Sequence, residues 1–194
     1  MKNIVDSAIP IMTRLSFGYW GRLSDDDRRT VANWATLFTM SFEYVDSRTV
    51  CVSQAERERF RSAGYPSNHW KVAIGFGEPN IDADRVTHRA LALSDEFKMP
   101  HPNSQITAWF FGKLFIVTVY SELRIPFDWP TLCKRLSLAP IWPLDGKAVH
   151  KPFGTHGDGA IDDILTAIHR GFDTAATESR GTLTLSNVED NDTR

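Results

Sequence analysis

The longest apolar stretch of the chain, residues 106–120, is the feature that most limits what it can fold into. It reads Ile-Thr-Ala-Trp-Phe-Phe-Gly-Lys-Leu-Phe-Ile-Val-Thr-Val-Tyr, and Lys113 is its only charged residue. A membrane span needs about 20 apolar residues, and a lysine at its centre costs roughly 2.5 to 3.5 kcal/mol. We therefore expect this stretch to be buried within a protein core.

The pattern leaves two secondary structures open for this stretch. The β-branched residues at 116–119 favour a strand, and Gly112-Lys113 could close a hairpin between two short strands. On the other hand, Ser104 as an N-cap and Pro126 as a stop delimit a segment of helical length. Because the other elements read as helices, we predict a mainly α fold around a buried central helix at 106–123. The alternative is an α+β fold with a central hairpin.

Two further helices have clear start signals. Ser24 is followed by three aspartates, which complement the positive end of a helix dipole, and this helix is predicted to run to about Val45. Its apolar residues recur at spacings of three and four, which places them on one face. A second helix is predicted to start with the capping-box pattern at Ser53 to Glu56 and to end at Gly64.

Weaker patterns predict the remaining elements. Apolar residues at helical spacing predict helices at 82–98, 129–136 and 160–172. Small strand contributions are expected at 49–52, 72–75 and 183–185. The expected architecture is thus one helical domain of five or six helices with a minor β contribution.

Length and composition predict one globular domain. The chain has 194 residues, of which 42% are hydrophobic and 11% aromatic, enough for a single sizeable core. Past residue 176 the composition turns to Thr, Ser, Asn and acidic residues. We therefore predict a domain at 1–177 and a polar acidic tail at 178–194, within which a short strand could still dock.

The charge balance argues against a nucleic-acid partner. There are 22 basic and 24 acidic residues, and residues 1–177 contain 20 of each. A duplex-binding domain normally carries a net basic face that neutralises phosphates. We expect no binding to nucleic acid and, given the interrupted apolar pattern of the N-terminus, neither a signal peptide nor a membrane association.

Cysteine usage agrees with a reducing compartment. Cys51 and Cys133 lie far apart in the chain, which fits neither a disulfide framework nor a zinc site with paired cysteines. We predict two buried, reduced thiols and a cytoplasmic location.

One cluster could carry metal chemistry. His156, Asp158, Asp162 and Asp163 fall within eight positions at the start of the last predicted helix, and His150 precedes them. Carboxylate oxygens with an imidazole suit a divalent cation. A simpler explanation is that the aspartates cap the helix and complement its dipole. We adopt it, and we expect no metal and no cofactor.

Motifs for other enzymatic mechanisms are missing. Gly-x-Ser-x-Gly and His-Glu-x-x-His are absent, and nothing in the sequence places a histidine beside Cys133. The sequence therefore favours a protein that is not an enzyme.

Trp129-Pro130 and Trp142-Pro143 suggest candidate interface residues. Tryptophan in a segment restricted by proline is a favoured anchor in protein interfaces if it is exposed. The competing interpretation places both indoles in the core.

Together these observations predict a cytoplasmic protein-binding module. The most plausible type is an inhibitor or immunity protein that neutralises a partner enzyme, such as a basic toxin or nuclease domain, by charge complementarity. The predicted partner-binding residues are Trp129, Trp142, Asp158, Asp162 and Asp163. The alternative is a metal-dependent hydrolase or phosphoryl-transfer enzyme using His156, Asp158 and Asp162, and a structural subunit that self-associates is a third hypothesis.

Overall fold

The computed structural model describes residues 2–78, 86–94, 102–123, 125, 127–146, 149–152, 154–157, 159–178 and 184–187. Within these ranges the chain forms five α-helices and six strands. The helices are α1 (Lys2–Ser16), α2 (Asp25–Phe42), α3 (Gln54–Ala63), α4 (Trp129–Arg135) and α5 (Ala160–Glu178). The strands are β1 (Trp70–Phe76), β2 (Val86–Ser94), β3 (Ser104–Phe111), β4 (Leu114–Ser121), β5 (Ala139–Trp142) and β6 (Thr184–Asn187).

The fold is α+β, so the prediction of a mainly α fold is wrong. Residues 106–123 do not form a central helix: β3 and β4 pair as an antiparallel hairpin, with Phe111 opposite Leu114. Gly112 is the first residue of the two-residue turn and has a φ of 57°, a conformation that glycine adopts without steric cost. The hairpin alternative is the one the structure adopts.

The hairpin resembled a buried helix because the sheet is covered on both faces. Every residue of β4 is buried, whereas a strand with one solvated face would alternate apolar and polar residues. One face packs against α1, α2 and α3 through a cluster that includes Trp70, Ile74 and Ile116. The other packs against α4 and α5 through a cluster that includes Phe115 and Val117. A strand buried on both sides therefore carries no period-two signal.

The predicted helix at 82–98 is also wrong where the structure describes it. Residues 86–94 form β2, which pairs with β3 so that His88 lies opposite Thr107. The helical spacing of its apolar residues was coincidental, and pairing with a neighbouring strand decided the conformation. The other predicted residues of that segment lie outside the described ranges.

The described strands form one antiparallel sheet in the order β5-β1-β4-β3-β2-β6. The predicted strand at 72–75 is confirmed within β1. The strand predicted at 49–52 is wrong, because residue 49 ends the 3₁₀ turn Ser47–Thr49 and the next three residues form no strand. Strand β6 pairs with the end of β2 and lies inside the segment predicted as a tail. The helices predicted at 129–136 and 160–172 are confirmed as α4 and α5.

The starts of α2 and α3 were predicted correctly from local chemistry. The Ser24 hydroxyl accepts a hydrogen bond from the Asp27 backbone, and the Asp27 carboxylate accepts one from the Ser24 backbone, which is a complete capping box. Helix α3 is capped by Ser53 and ends at Gly64, which has a φ of 76°. Helix α1, which the sequence interpretation did not include, packs against α2 and adds Ile11 and Leu15 to the core.

Candidate functional site

The two tryptophans predicted as partner-binding residues are buried. Trp142, at the end of β5, is 7% exposed, and its indole N–H donates to the Ser67 carbonyl at 3.1 Å. Trp129, at the start of α4, is 4% exposed and lies against Phe127, with 6.5 Å between the ring centroids. Both side chains belong to the core, as the competing interpretation held, and neither projects from the surface as an anchor.

The acidic residues predicted for partner binding lie at the start of α5. Asp162 and Asp163 are in its first turn and are exposed. The side chain of Asp162 is 71% exposed, and its carboxylate lies 3.9 Å from the Arg89 guanidinium. Asp158 lies outside the described residues. A role for these aspartates in partner binding stays a prediction.

His156 has a structural role that the sequence did not suggest. Its backbone pairs with β1, because its N–H donates to the Phe76 carbonyl and its own carbonyl accepts from Glu78. Its Nε2 lies 3.3 Å from the Ser137 carbonyl, and the ring packs 5.0 Å from Phe115. A nitrogen that donates to a carbonyl carries a proton and has no lone pair for a metal. Burial lowers the pKa of this imidazole.

A metal centre finds no support in the described part of the chain. Within it, no group of three or more His, Cys, Asp or Glu side chains is placed to hold a metal ion. Asp158, a member of the alternative hydrolase cluster, is outside that part. The two cysteines are buried, and burial raises the pKa of both thiols, which disfavours the thiolate that nucleophilic chemistry would need.

One candidate site in the described part of the chain is a surface groove across the end of the sheet where β1 begins and β4 ends. It consists of three depressions, and His69 lines all of them. The first, of about 600 Å³, is walled by Tyr65, Trp142, Pro143 and Leu144. The third, of about 490 Å³, is walled by Leu123, Ile125, Phe127, Trp129 and Pro130. We call this the His69 groove.

We call the second depression, of about 430 Å³, the centre of the His69 groove, because Glu56, Arg59 and His69 line both it and the first depression. It is lined by Ser53, Glu56, Arg59, Tyr120 and Glu122 in addition to His69. Glu56 is held in place because its carboxylate accepts the Trp70 indole N–H at 3.1 Å. Arg59 lies 3.7 Å from the same oxygen. These contacts fix one carboxylate and one guanidinium side by side at the centre of the groove.

Hydrogen bonding defines what the other central groups offer to a ligand. Nδ1 of His69 lies 2.9 Å from the Ser121 carbonyl, so in the neutral ring Nδ1 carries the proton and Nε2 is an acceptor. Burial raises the pKa of the neighbouring Tyr120 hydroxyl, which keeps this group protonated. The centre of the groove therefore contains both donors and acceptors.

Arg59 also joins the centre of the groove to its first depression. Its guanidinium donates to the Tyr65 carbonyl at 2.9 Å and lies 5.3 Å from the centroid of the Tyr65 ring. The Tyr65 ring in turn lies 6.1 Å from that of Trp142. These contacts join one arginine and two aromatic rings into a single wall. They limit the rotamers that each side chain can adopt.

Sequence reasoning identified Trp129 and Trp142 but missed the groove that they help to form. From the sequence we considered Glu56 only as part of a capping box, and we did not single out Arg59 or His69. No spacing pattern joins these positions to residues 120–130 and 142–144. The only local signal is Tyr65-Pro66, which marks the end of α3 without indicating that it borders a groove.

Comparison of the chain with models of known protein families, with curated proteins and with solved structures finds no match. Helices in the described ranges are too short or too polar to cross a bilayer. Function must therefore be argued from the geometry of the site.

Proposed function

We propose that this protein is a non-enzymatic binding module of the inhibitor or immunity type, which neutralises a partner enzyme such as a toxin or nuclease domain by binding a segment of it in the His69 groove. The observation that carries the proposal is that three neighbouring depressions share His69, and that the predicted residues Trp142 and Trp129 line the first and the third of them. In this arrangement the tryptophans receive partner side chains and do not insert into the partner.

The chemistry of the groove suits a protein segment. Aromatic, proline and aliphatic side chains in the first and third depressions can pack against apolar residues of a partner, beside the polar residues Asn68 and His69 that line both. The centre of the groove offers hydrogen-bonding groups to a backbone or a polar side chain. Interface hot spots have this composition, because well-packed pockets exclude water while a few polar groups set the register.

The charges that remain available in the groove favour a basic partner. Arg59 is engaged by Glu56 and by the Tyr65 carbonyl, whereas Glu122 and Asp128 are exposed carboxylates that line the groove. Lys71 at the third depression donates to the Asn68 carbonyl at 3.3 Å. Exposed carboxylates attract basic side chains and accelerate encounter.

We also propose that the protein is cytoplasmic and that it binds neither nucleic acid nor membrane. The near-neutral charge balance supports it, since phosphate-rich surfaces select strongly basic proteins. Asp162 and Asp163 would add to the attraction of a basic partner from the start of α5.

The test is to purify the tagged protein from its native host, identify any stoichiometric partner by mass spectrometry, and reconstitute the complex from purified components. We expect a basic enzyme domain whose activity falls on binding. Glu122→Lys should weaken the affinity by about tenfold or more, because like charges facing each other cost on the order of 1.4 kcal/mol or more.

The matched control is Glu58→Lys, the same charge change on an exposed position of α3 outside the groove, which should leave the affinity within about twofold. Recovery of the protein without a stoichiometric partner, or equal affinities for the two variants, would overturn the proposal.

A further inference from the structure

A second pocket lies between α1, α2 and α3, away from the His69 groove. Its volume is about 490 Å³, within the range of roughly 300 to 1,000 Å³ that is usual for small-molecule sites. It is lined by Ile4, Leu37, Met40, Ser41, Tyr44, Gln54, Arg57, Glu58, Phe60 and Arg61. We call it the three-helix pocket. None of these residues lines the groove.

The inner part of the three-helix pocket is apolar. Met40 and Phe60 are buried members of the core, and Ile4 and Leu37 pack against the same core while remaining partly accessible. Four apolar side chains from three helices thus converge on one cavity. Burial of an apolar group in the pocket would favour binding by roughly 25 cal/mol per Å² of surface removed from water.

The mouth of the pocket has cationic groups. Arg57 is held by its hydrogen bonds to the Met40 and Val52 carbonyls, at 3.1 and 3.3 Å, and by its ion pair with Glu43. The exposed ring of Tyr44 lies 4.8 Å from the Arg57 guanidinium. These contacts make one wall of the pocket rigid, and the charge of Arg57 is balanced by Glu43.

Arg61 is the cation available to a ligand. It is exposed at the rim, and in the described part of the chain no carboxylate forms an ion pair with it. The one acidic residue of the lining, Glu58, accepts a hydrogen bond from the Gln54 amide at 3.0 Å. Arg61 is therefore the group that can pair with an anionic head group at the rim.

We infer that the three-helix pocket binds an amphipathic small molecule with an apolar body and one anionic head group, the chemical class of medium-chain fatty acids. The body lies against Met40 and Phe60, and the head pairs with Arg61. A carboxylate and a guanidinium can form two parallel hydrogen bonds, which favours arginine over a point charge at such a site. This site is independent of the proposed partner-binding function.

The inference is tested by isothermal titration calorimetry of the full chain with sodium decanoate below its micellar concentration. We expect binding of one decanoate per chain. Arg61→Ala should weaken the affinity by about fivefold, the effect of losing a partly solvated charged hydrogen bond. The uncharged analogue 1-decanol should bind the unmodified protein more weakly by a similar factor.

Two further variants locate the site. Ser41→Phe places a ring at an exposed position of the pocket lining and should abolish decanoate binding. Arg29→Ala removes an exposed arginine of α2 outside the pocket and should leave the affinity unchanged.

The inference is overturned if decanoate does not bind, or if Ser41→Phe binds it as tightly as the unmodified protein. Equal affinities for Arg61→Ala and the unmodified protein would overturn the assignment of the anionic head group. Because each measurement uses a defined ligand and no protein partner, its outcome is separate from that of the proposed function.

Discussion

Truncation of Glu43 should destabilise the fold more than most single substitutions. Glu43 begins a 3₁₀ turn directly after α2, and its side chain is fully buried. One carboxylate oxygen accepts hydrogen bonds from the backbone N–H groups of Cys51 and Val52, at 3.2 and 3.3 Å. The carboxylate also pairs with Arg57. Glu43 therefore ties the end of α2 to the segment that leads into α3.

The magnitude follows from what Glu43→Ala leaves behind. Breaking a buried ion pair by removing one partner costs about 3 to 5 kcal/mol, and part of that loss comes here from the two buried N–H groups that lose their acceptor. Arg57 keeps its bonds to two backbone carbonyls and remains partly exposed, which limits the penalty on its charge. We therefore expect a loss near the lower end, about 3 kcal/mol.

The assay is urea unfolding followed by tryptophan fluorescence, with linear extrapolation to water. The unmodified protein, Glu43→Ala, Glu43→Gln and the surface control Glu58→Ala would be compared. Glu43→Gln retains an acceptor oxygen and should lose about half as much as Glu43→Ala, whereas Glu58→Ala should change the stability by less than about 0.5 kcal/mol. A loss below about 1 kcal/mol for Glu43→Ala would refute the reasoning.

Two other predictions concern the packing of His156 on β1. A Cβ added by Gly75→Ala would lie 2.8 Å from the His156 ring and 2.9 Å from the Leu138 side chain, so we expect the free energy of unfolding in urea to fall by about 1 to 3 kcal/mol. The control Gly157→Ala, whose Cβ would meet nothing within 4 Å, should be nearly neutral. Equal losses for the two variants would contradict this account. Because burial lowers the pKa of His156, the unfolded chain binds a proton that the folded protein does not, so the stability should fall as pH decreases from about 7 through the unfolded pKa near 6.5. The free energy of unfolding should fall less between pH 7.0 and 5.5 in His156→Gln than in the unmodified protein. An equal fall in the two proteins would argue against this role of His156.

Local elements could be predicted where the chemistry is contained in a few neighbouring residues. The capping residues Ser24 and Ser53 and the C-cap Gly64 act on backbone groups of their own segments, so their patterns predict helices without knowledge of the fold. The turn at Gly112-Lys113 was recognisable for the same reason. What could not be decided locally was whether the segments on either side of that turn were strands.

The candidate site could be predicted only in part. Trp129 and Trp142 were selected for their rigid aromatic rings, yet their burial and their place in the third and first depressions of the His69 groove depend on segments remote in sequence. His69 was not selected because no neighbouring residue distinguishes it. Only the pairing of β1 with β4 brings it beside Ser121 and Tyr120.

The sequence by itself determined the helix boundaries set by caps. It also determined the burial of residues 106–110 and 114–120, because a continuous apolar run has a large free-energy cost in water wherever it lies. Tertiary structure alone decided the conformation of that run. A segment that is apolar on every side satisfies a buried helix and a strand between two helical layers equally well, and the choice depends on hydrogen-bonding partners contributed by other strands. The same pairing assembled the His69 groove, since its walls come from parts of the chain that meet only when the sheet has formed.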